Sequence, residues 1–149
     1  MPNRVILLVE DNASDEKLTL LAFKQSGVSN AIVVVRDGVE ALDYLHGTGA
    51  YAGRNVADLP AVVLLDLNLP RIGGLEVLQR VRADERTKLV PIVILTASKQ
   101  EEDVLGGYRL GANAYVRKPV DFAEFSSVAK TVGLFWVLLN ERPPIRGGT

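Results

Sequence analysis

A chain of 149 residues is sized for one compact domain, and a formal net charge of -1 with Lys and Arg scattered along it offers no basic surface for tracking nucleic acid. The absence of cysteine excludes disulfides and thiolate metal sites, and 48% hydrophobic with 23% charged residues excludes a disordered or collagen-like chain. Met1 to Arg4 lead straight into a short apolar run that stops at Glu10 and Asp11, so neither a signal peptide nor a membrane span is expected there, and a cytoplasmic location is.

The first run, Val5 to Val9, has strand length and ends in Glu10 and Asp11. Leu18, Leu21 and Ala22 then repeat at helical spacing and predict an amphipathic helix. A second run, Ala31 to Val35, is followed by Asp37 and Glu40 at capping-box spacing, then by a helical core face of Ala41, Leu42 and Leu45. His46, the single histidine, falls at the end of that helix, where interaction with the helix C-terminus is its expected role. The stretch from Gly47 to Leu59, rich in Gly and small residues, reads as an exposed loop.

A third run, Ala61 to Leu65, ends in Asp66, and Val77, Leu78 and Val81 mark the helix after it. The fourth, Pro91 to Leu95, ends in Thr96, with Ser98 and Glu101 as a second capping pair. The fifth, Ala114 to Val116, leads into Arg117, Lys118 and Pro119, and Asp121 with Glu124 opens a last helix. Residues 1–140 are thus expected to form one domain, with 141–149, rich in Pro and Gly, as a flexible tail and no separate output domain. Because the runs do not alternate apolar with polar, they read as strands buried on both faces. Strand then helix, repeated along the chain, implies right-handed crossovers and an α/β architecture, a doubly wound parallel sheet covered on both sides.

In such a sheet, ligands bind outside the carboxyl ends of the strands near a topological switch point. Those ends carry Glu10, Asp11, Asp66, Thr96 and Lys118. Three carboxylates a few ångströms apart repel by several kcal/mol at an effective dielectric of about 20, so they call for a cation. A hard divalent ion, Mg2+, suits an oxygen-only donor set, since no His or Cys is positioned to favour zinc. With the metal, Asp66 can act as nucleophile in an in-line phosphoryl transfer while Thr96 and Lys118 bind the equatorial oxygens. Taken singly, each of these residues would read as a turn or a strand cap.

The joint pattern resembles the receiver domains of bacterial two-component response regulators, the CheY-like superfamily, over roughly residues 4 to 139. The acidic pair Glu10 and Asp11, then Asp66, Thr96 before Ala97, and Lys118-Pro119 match by type and spacing, as do Pro70, Gly74 and the stretch from Gly111 to Tyr115. The resemblance implies a flavodoxin-like sheet of five strands in the order 2-1-3-4-5 flanked by five helices. It implies a phosphoacceptor at Asp66, Mg2+ held by Asp11, Asp66, the Asn68 backbone carbonyl and Glu10 acting through water, and a cis Lys118-Pro119 bond. It also implies a switch in which Thr96 and an inward-moving Tyr115 alter the surface around the fourth helix, fifth strand and fifth helix. The phosphodonor is then a histidine on a sensor kinase, not His46. The long loop before the third strand and the aromatic last helix are similar to stand-alone regulators paired with bacterial phytochrome kinases.

The last helix has a core stripe of Phe125, Val128, Ala129, Val132 and Phe135, yet Leu134, Trp136, Val137 and Leu138 make its end apolar nearly all round. A homodimer through Tyr108, Phe135 and Trp136 is the expected cover. Rival functions fit less well. A haloacid-dehalogenase-like aspartyl phosphatase needs a second aspartate where Asn68 stands, and a nucleotide-binding domain needs a glycine-rich turn where Glu10 to Ala13 stand. A receiver-like interaction module that is never phosphorylated has no reason to keep every site residue.

Overall fold

The computed structural model describes residues 5–25, 30–67, 69–96, 111–112 and 114–117. In chain order these form β1 (Ile6–Val9), α1 (Ala13–Gln25), β2 (Ile32–Val35), α2 (Gly38–His46), a 3-10 turn (Gly49–Tyr51), β3 (Val62–Leu65), α3 (Gly74–Ala83), β4 (Ile92–Thr96) and β5 (Ala114–Arg117). The strands make one five-stranded sheet in the order β2-β1-β3-β4-β5, every pair parallel, as expected. The capping pairs at 98/101 and 121/124, the fourth and fifth helices and the tail lie outside the described residues.

Alternate residues of each strand face opposite sides of the sheet. Leu7, Val9, Val63, Leu65, Ile92 and Ile94 join Ala41, Leu42 and Leu45 of α2 and Val77, Leu78 and Val81 of α3 in one core. The other set, Ile6, Leu8, Val62, Leu64 and Val93, is equally buried, so these strands are apolar on both faces. Each such side chain contributes about 1.5–3 kcal/mol through removal from water. The expected core faces of α2 and α3 are therefore the buried ones.

The expected face of α1 is not. Leu21 is 44% exposed and Leu18 half-buried, while Thr19 and Phe23, one turn apart, are each 1% exposed; the Ala22 side chain lies outside the described residues. Leucines occur on several sides of this helix, so apolar spacing marks no single face. Thr19 enters the interior because its hydroxyl donates to the Asp15 carbonyl at 2.9 Å, which removes the cost of burying it.

At α2, the Asp37 carboxylate accepts from the Glu40 N–H at 2.8 Å, the expected cap, while the Glu40 carboxylate reaches back to the Arg36 N–H at 3.1 Å. The helix ends at Gly47, whose φ of 67 lies in the left-handed region that glycine enters without strain. The stretch from Gly47 to Leu59 is the mostly exposed loop expected, and it carries internal order as well. Tyr51 stands edge-on to Tyr44 with centroids 5.0 Å apart, and the Arg54 guanidinium lies 4.3 Å over the Tyr44 ring. Arg54 also donates to the Tyr44 carbonyl at 2.6 Å and the Asp58 carbonyl at 2.9 Å, satisfying an acceptor left free at the end of α2. Counting glycine and small residues does not reveal that one arginine organises the segment.

Arg82 plays the matching part beyond α3. Its guanidinium donates to the carbonyls of Gly111, Lys88 and Val90 at 2.8, 2.9 and 2.7 Å, joining the end of α3 to the approaches of β4 and β5. Burial pushes its pKa below the usual value. Asp84, the C-cap of α3, accepts from the Arg86 backbone N–H and Nη2, each at 2.8 Å. These bonds hold the Asp84 carboxyl down from 3.8 to about 2. A depressed folded-state pKa stabilises the fold fully above the unfolded value and ceases to as pH falls through the folded one. Asp84→Asn is therefore expected to lower stability above about pH 4 and to flatten the acid limb of a urea-denaturation series between about pH 4 and about pH 2, the two proteins converging at the acid end.

Candidate functional site

Chain direction in the sheet reverses at β1. The β1-α1-β2 unit proceeds to one side, and the chain then crosses back over β1 to lay down β3, β4 and β5 on the other. The crevice between β1 and β3 is thus the switch point where open parallel sheets bind ligands. Val9 pairs with Leu65 in register, so the residues that follow, Glu10 and Asp66, leave the sheet side by side. The Asp66 N–H donates to the Val9 carbonyl at 3.1 Å and the Glu10 N–H to the Val35 carbonyl at 3.0 Å, which extends the sheet's hydrogen bonding to the site itself.

Glu10 is 1% exposed, Asp66 7%, and Asp11 exposed. The Glu10 carboxylate accepts from the Asn12 N–H at 3.3 Å. Asn12 in turn caps α1, its side chain accepting from the Asp15 N–H at 2.9 Å and its carbonyl from the Glu16 N–H at 2.9 Å. Apolar spacing passes over Asn12, although an asparagine followed three residues later by Asp15 in an acidic first turn is a legible N-cap signal.

One carboxylate oxygen from each of Glu10, Asp11 and Asp66 lies within 4.8 Å of the others. At that spacing each charged pair repels by about 3 to 4 kcal/mol with an effective dielectric near 20. The donor set is hard and contains only oxygen. Six-coordinate magnesium, with bonds of about 2.0–2.1 Å, spans about 4.2 Å between opposite ligands, so small side-chain adjustments would bring three oxygens within 4.8 Å of one another into a shell completed by water. Among the described residues this is the one such group of carboxylates and imidazoles.

Thr96 is the last residue of β4 and pairs with Arg117, the last residue of β5, so the two strands end at the same edge of the sheet. Tyr115 lies in β5, paired with Ile94. Asn68, Tyr108, Lys118, Pro119, Phe135 and Trp136 lie outside the described residues, and with them the expected cis bond and dimer surface. His46 occupies the last turn of α2, as expected, but its Nε2 turns toward Asp84 Oδ2 at 3.5 Å and makes no hydrogen bond. It lines a shallow cleft of about 980 Å³ between α2 and α3 with Leu42, Ile72 and Arg80; none of the three clustered carboxylates lines it.

Residues 6–130 match the profile of the response regulator receiver domain. The chain belongs to that family. Response regulator Rcp1 of Synechocystis is 35% identical over 136 residues, 91% of this chain and 90% of that protein. The structure of the phosphorylated cyanobacterial phytochrome response regulator RcpA superposes on this receiver with a TM-score of 0.87 at 37% identity, covering 95% of this chain and 99% of that one. The bacteriophytochrome response regulator AtBRR is 51% identical, with a TM-score of 0.76 over 95% of this chain and all of its own. The Mn2+-bound form of Rcp1 gives a TM-score of 0.86 at 33% identity over 95% of this chain and 99% of that one.

A cation that binds only the folded receiver stabilises it by mass action. Mg2+ at ten times its dissociation constant is expected to raise the unfolding free energy by about 1.4 kcal/mol. Asp11→Asn removes one charged donor and is expected to weaken Mg2+ by about tenfold, read as a shift of the stabilisation curve to higher Mg2+.

Proposed function

We propose that this receiver accepts a phosphoryl group on Asp66 from a phosphohistidine of a sensor histidine kinase, with Mg2+ bound at Asp11, Asp66 and the Asn68 backbone carbonyl and Glu10 acting through water. The observation that carries the reading is the convergence of Glu10, Asp11 and Asp66 at the switch point. An Asp66 carboxylate oxygen forms the new P–O bond as the P–N bond of the donor breaks, and the departing imidazole nitrogen takes up a proton. Bound Mg2+ neutralises carboxylate charge and polarises the phosphoryl oxygens. Thr96 and Lys118 hold those oxygens, supported by the position of β4 and β5 at the same edge.

Thr96 and Tyr115 then form the switch, and the surface of the fourth helix, fifth strand and fifth helix carries the output. The likeness to RcpA and AtBRR supports a phytochrome kinase as donor, and a cytoplasmic place of action goes with that reading. The protein's only catalysis is of its own phosphorylation and dephosphorylation. Incubation with Mg2+ and acetyl phosphate is expected to give a hydroxylamine-sensitive phosphoryl adduct, located by peptide mass at Asp66 and lost in Asp66→Asn. A chain that stays unmodified with acetyl phosphate and with a phosphorylated kinase would instead be an interaction module.

The apolar cluster at 134–138 of the sequence supports a homodimer through Tyr108, Phe135 and Trp136. Trp136→Ala is expected to halve the mass seen by sedimentation, and equal masses for the two proteins would exclude that interface.

A further inference from the structure

Both helices flanking the segment after Asp66 begin with glycine: Gly38 opens α2 and Gly74 opens α3. Glycine weakens a helix relative to alanine, and neither residue has the positive φ that would require it. Close approach supplies the reason. A Cβ on Gly38 would strike the Ile72 carbonyl oxygen and lie 2.7 Å from Ile72 Cβ and 2.8 Å from the Ile72 carbonyl carbon. A Cβ on Gly74 would strike the Asp66 carbonyl oxygen and lie 2.7 Å from Leu67 Cα. These obstacles are mostly backbone, which cannot rotate aside as a side chain can. The segment leaving Asp66 is therefore seated against the first residues of two helices.

Further contacts hold it there. Arg71, at φ 68, places Nη1 3.6 Å from Oδ2 of Asp37, the residue that caps α2. The Ile72 N–H donates to the Pro70 carbonyl at 2.8 Å and the Gly74 N–H to the Leu67 carbonyl at 3.0 Å, folding the segment on itself. Ile72 is two residues from Gly74, whose N–H is bound to the Leu67 carbonyl, so a displacement at Ile72 has a short path to Leu67 and Asp66.

We propose that Gly38 is a positioning residue for the carboxylate cluster: by admitting the Ile72 backbone, with the Asp37–Arg71 pair beside it, it sets where Asp66 stands relative to Glu10 and Asp11. The proposal rests on the metal and phosphoacceptor reading above. Gly38 touches neither metal nor phosphoryl group and acts through the segment it seats. A glycine serving only the local packing of α2 would affect melting and leave metal affinity alone.

The test is calorimetric Mg2+ titration of the full chain, paired with thermal melting of the metal-free protein. Gly38→Ala is expected to weaken Mg2+ about fivefold to tenfold while the protein keeps a cooperative melt, since alanine favours the helix as the collision shifts the segment. Arg71→Gly, which accepts φ 68 without strain and removes an exposed pair, is expected to weaken Mg2+ about twofold to threefold. An affinity for Gly38→Ala within about twofold of wild type overturns the proposal. Should Gly38→Ala fail to fold, unchanged affinity in Arg71→Gly overturns it alone. A wild-type protein that binds no Mg2+ removes the metal-site reading and this proposal together; wild-type binding with indifferent variants removes only the positioning role.

Discussion

The parallel register between β1 and β3 is the constraint on which the site depends. With Val9 opposite Leu65, the next residue of each strand must emerge at the same level, and those residues are Glu10 and Asp66. A slip of one residue would turn every side chain of a strand to the other face. It would also carry Asp66 away from the acidic pair. The apolar pattern that stabilises the sheet therefore also sets the spacing of the charges, and the same hydrogen bonds that pair the strands continue to the Asp66 N–H.

Those charges oppose the fold that assembles them. Three carboxylate oxygens within 4.8 Å, two of them on buried residues, are unfavourable unless a cation or hydrogen-bond donors compensate. The Asn12 N–H supplies one donor to Glu10, and its side chain starts α1 immediately beyond Asp11. On the other side, the segment after Asp66 is seated between the starts of α2 and α3. Packing and capping thus hold together groups that electrostatics alone would separate, and an oxygen-seeking cation gains affinity from that arrangement.

Much of this was legible because its signals are local or strictly spaced. Asp37 and Glu40 announce the cap of α2, and short apolar runs without alternation announce buried parallel strands. The α1 face was not legible, since a buried threonine depends on the Asp15 carbonyl below it rather than on hydropathy. Nor was the order in the stretch from Gly47 to Leu59, which comes from Arg54 reaching back ten residues to the Tyr44 carbonyl. His46 was placed correctly on its helix, but its neighbour Asp84 comes from the end of another helix.

Asp66 shows where the division falls. The sequence by itself determined the strand-helix alternation, the residue types at the strand ends and, through their spacing, the family, because each follows from periodicity and chain order. Only the tertiary structure decided that Glu10, Asp11 and Asp66 meet, since their distance depends on the order in which strands lie in the sheet and not on their order in the chain. It also decided why α2 and α3 each begin with glycine: the obstacle to a larger residue is backbone that folds back against the helix start, Ile72 at one and Asp66 with Leu67 at the other.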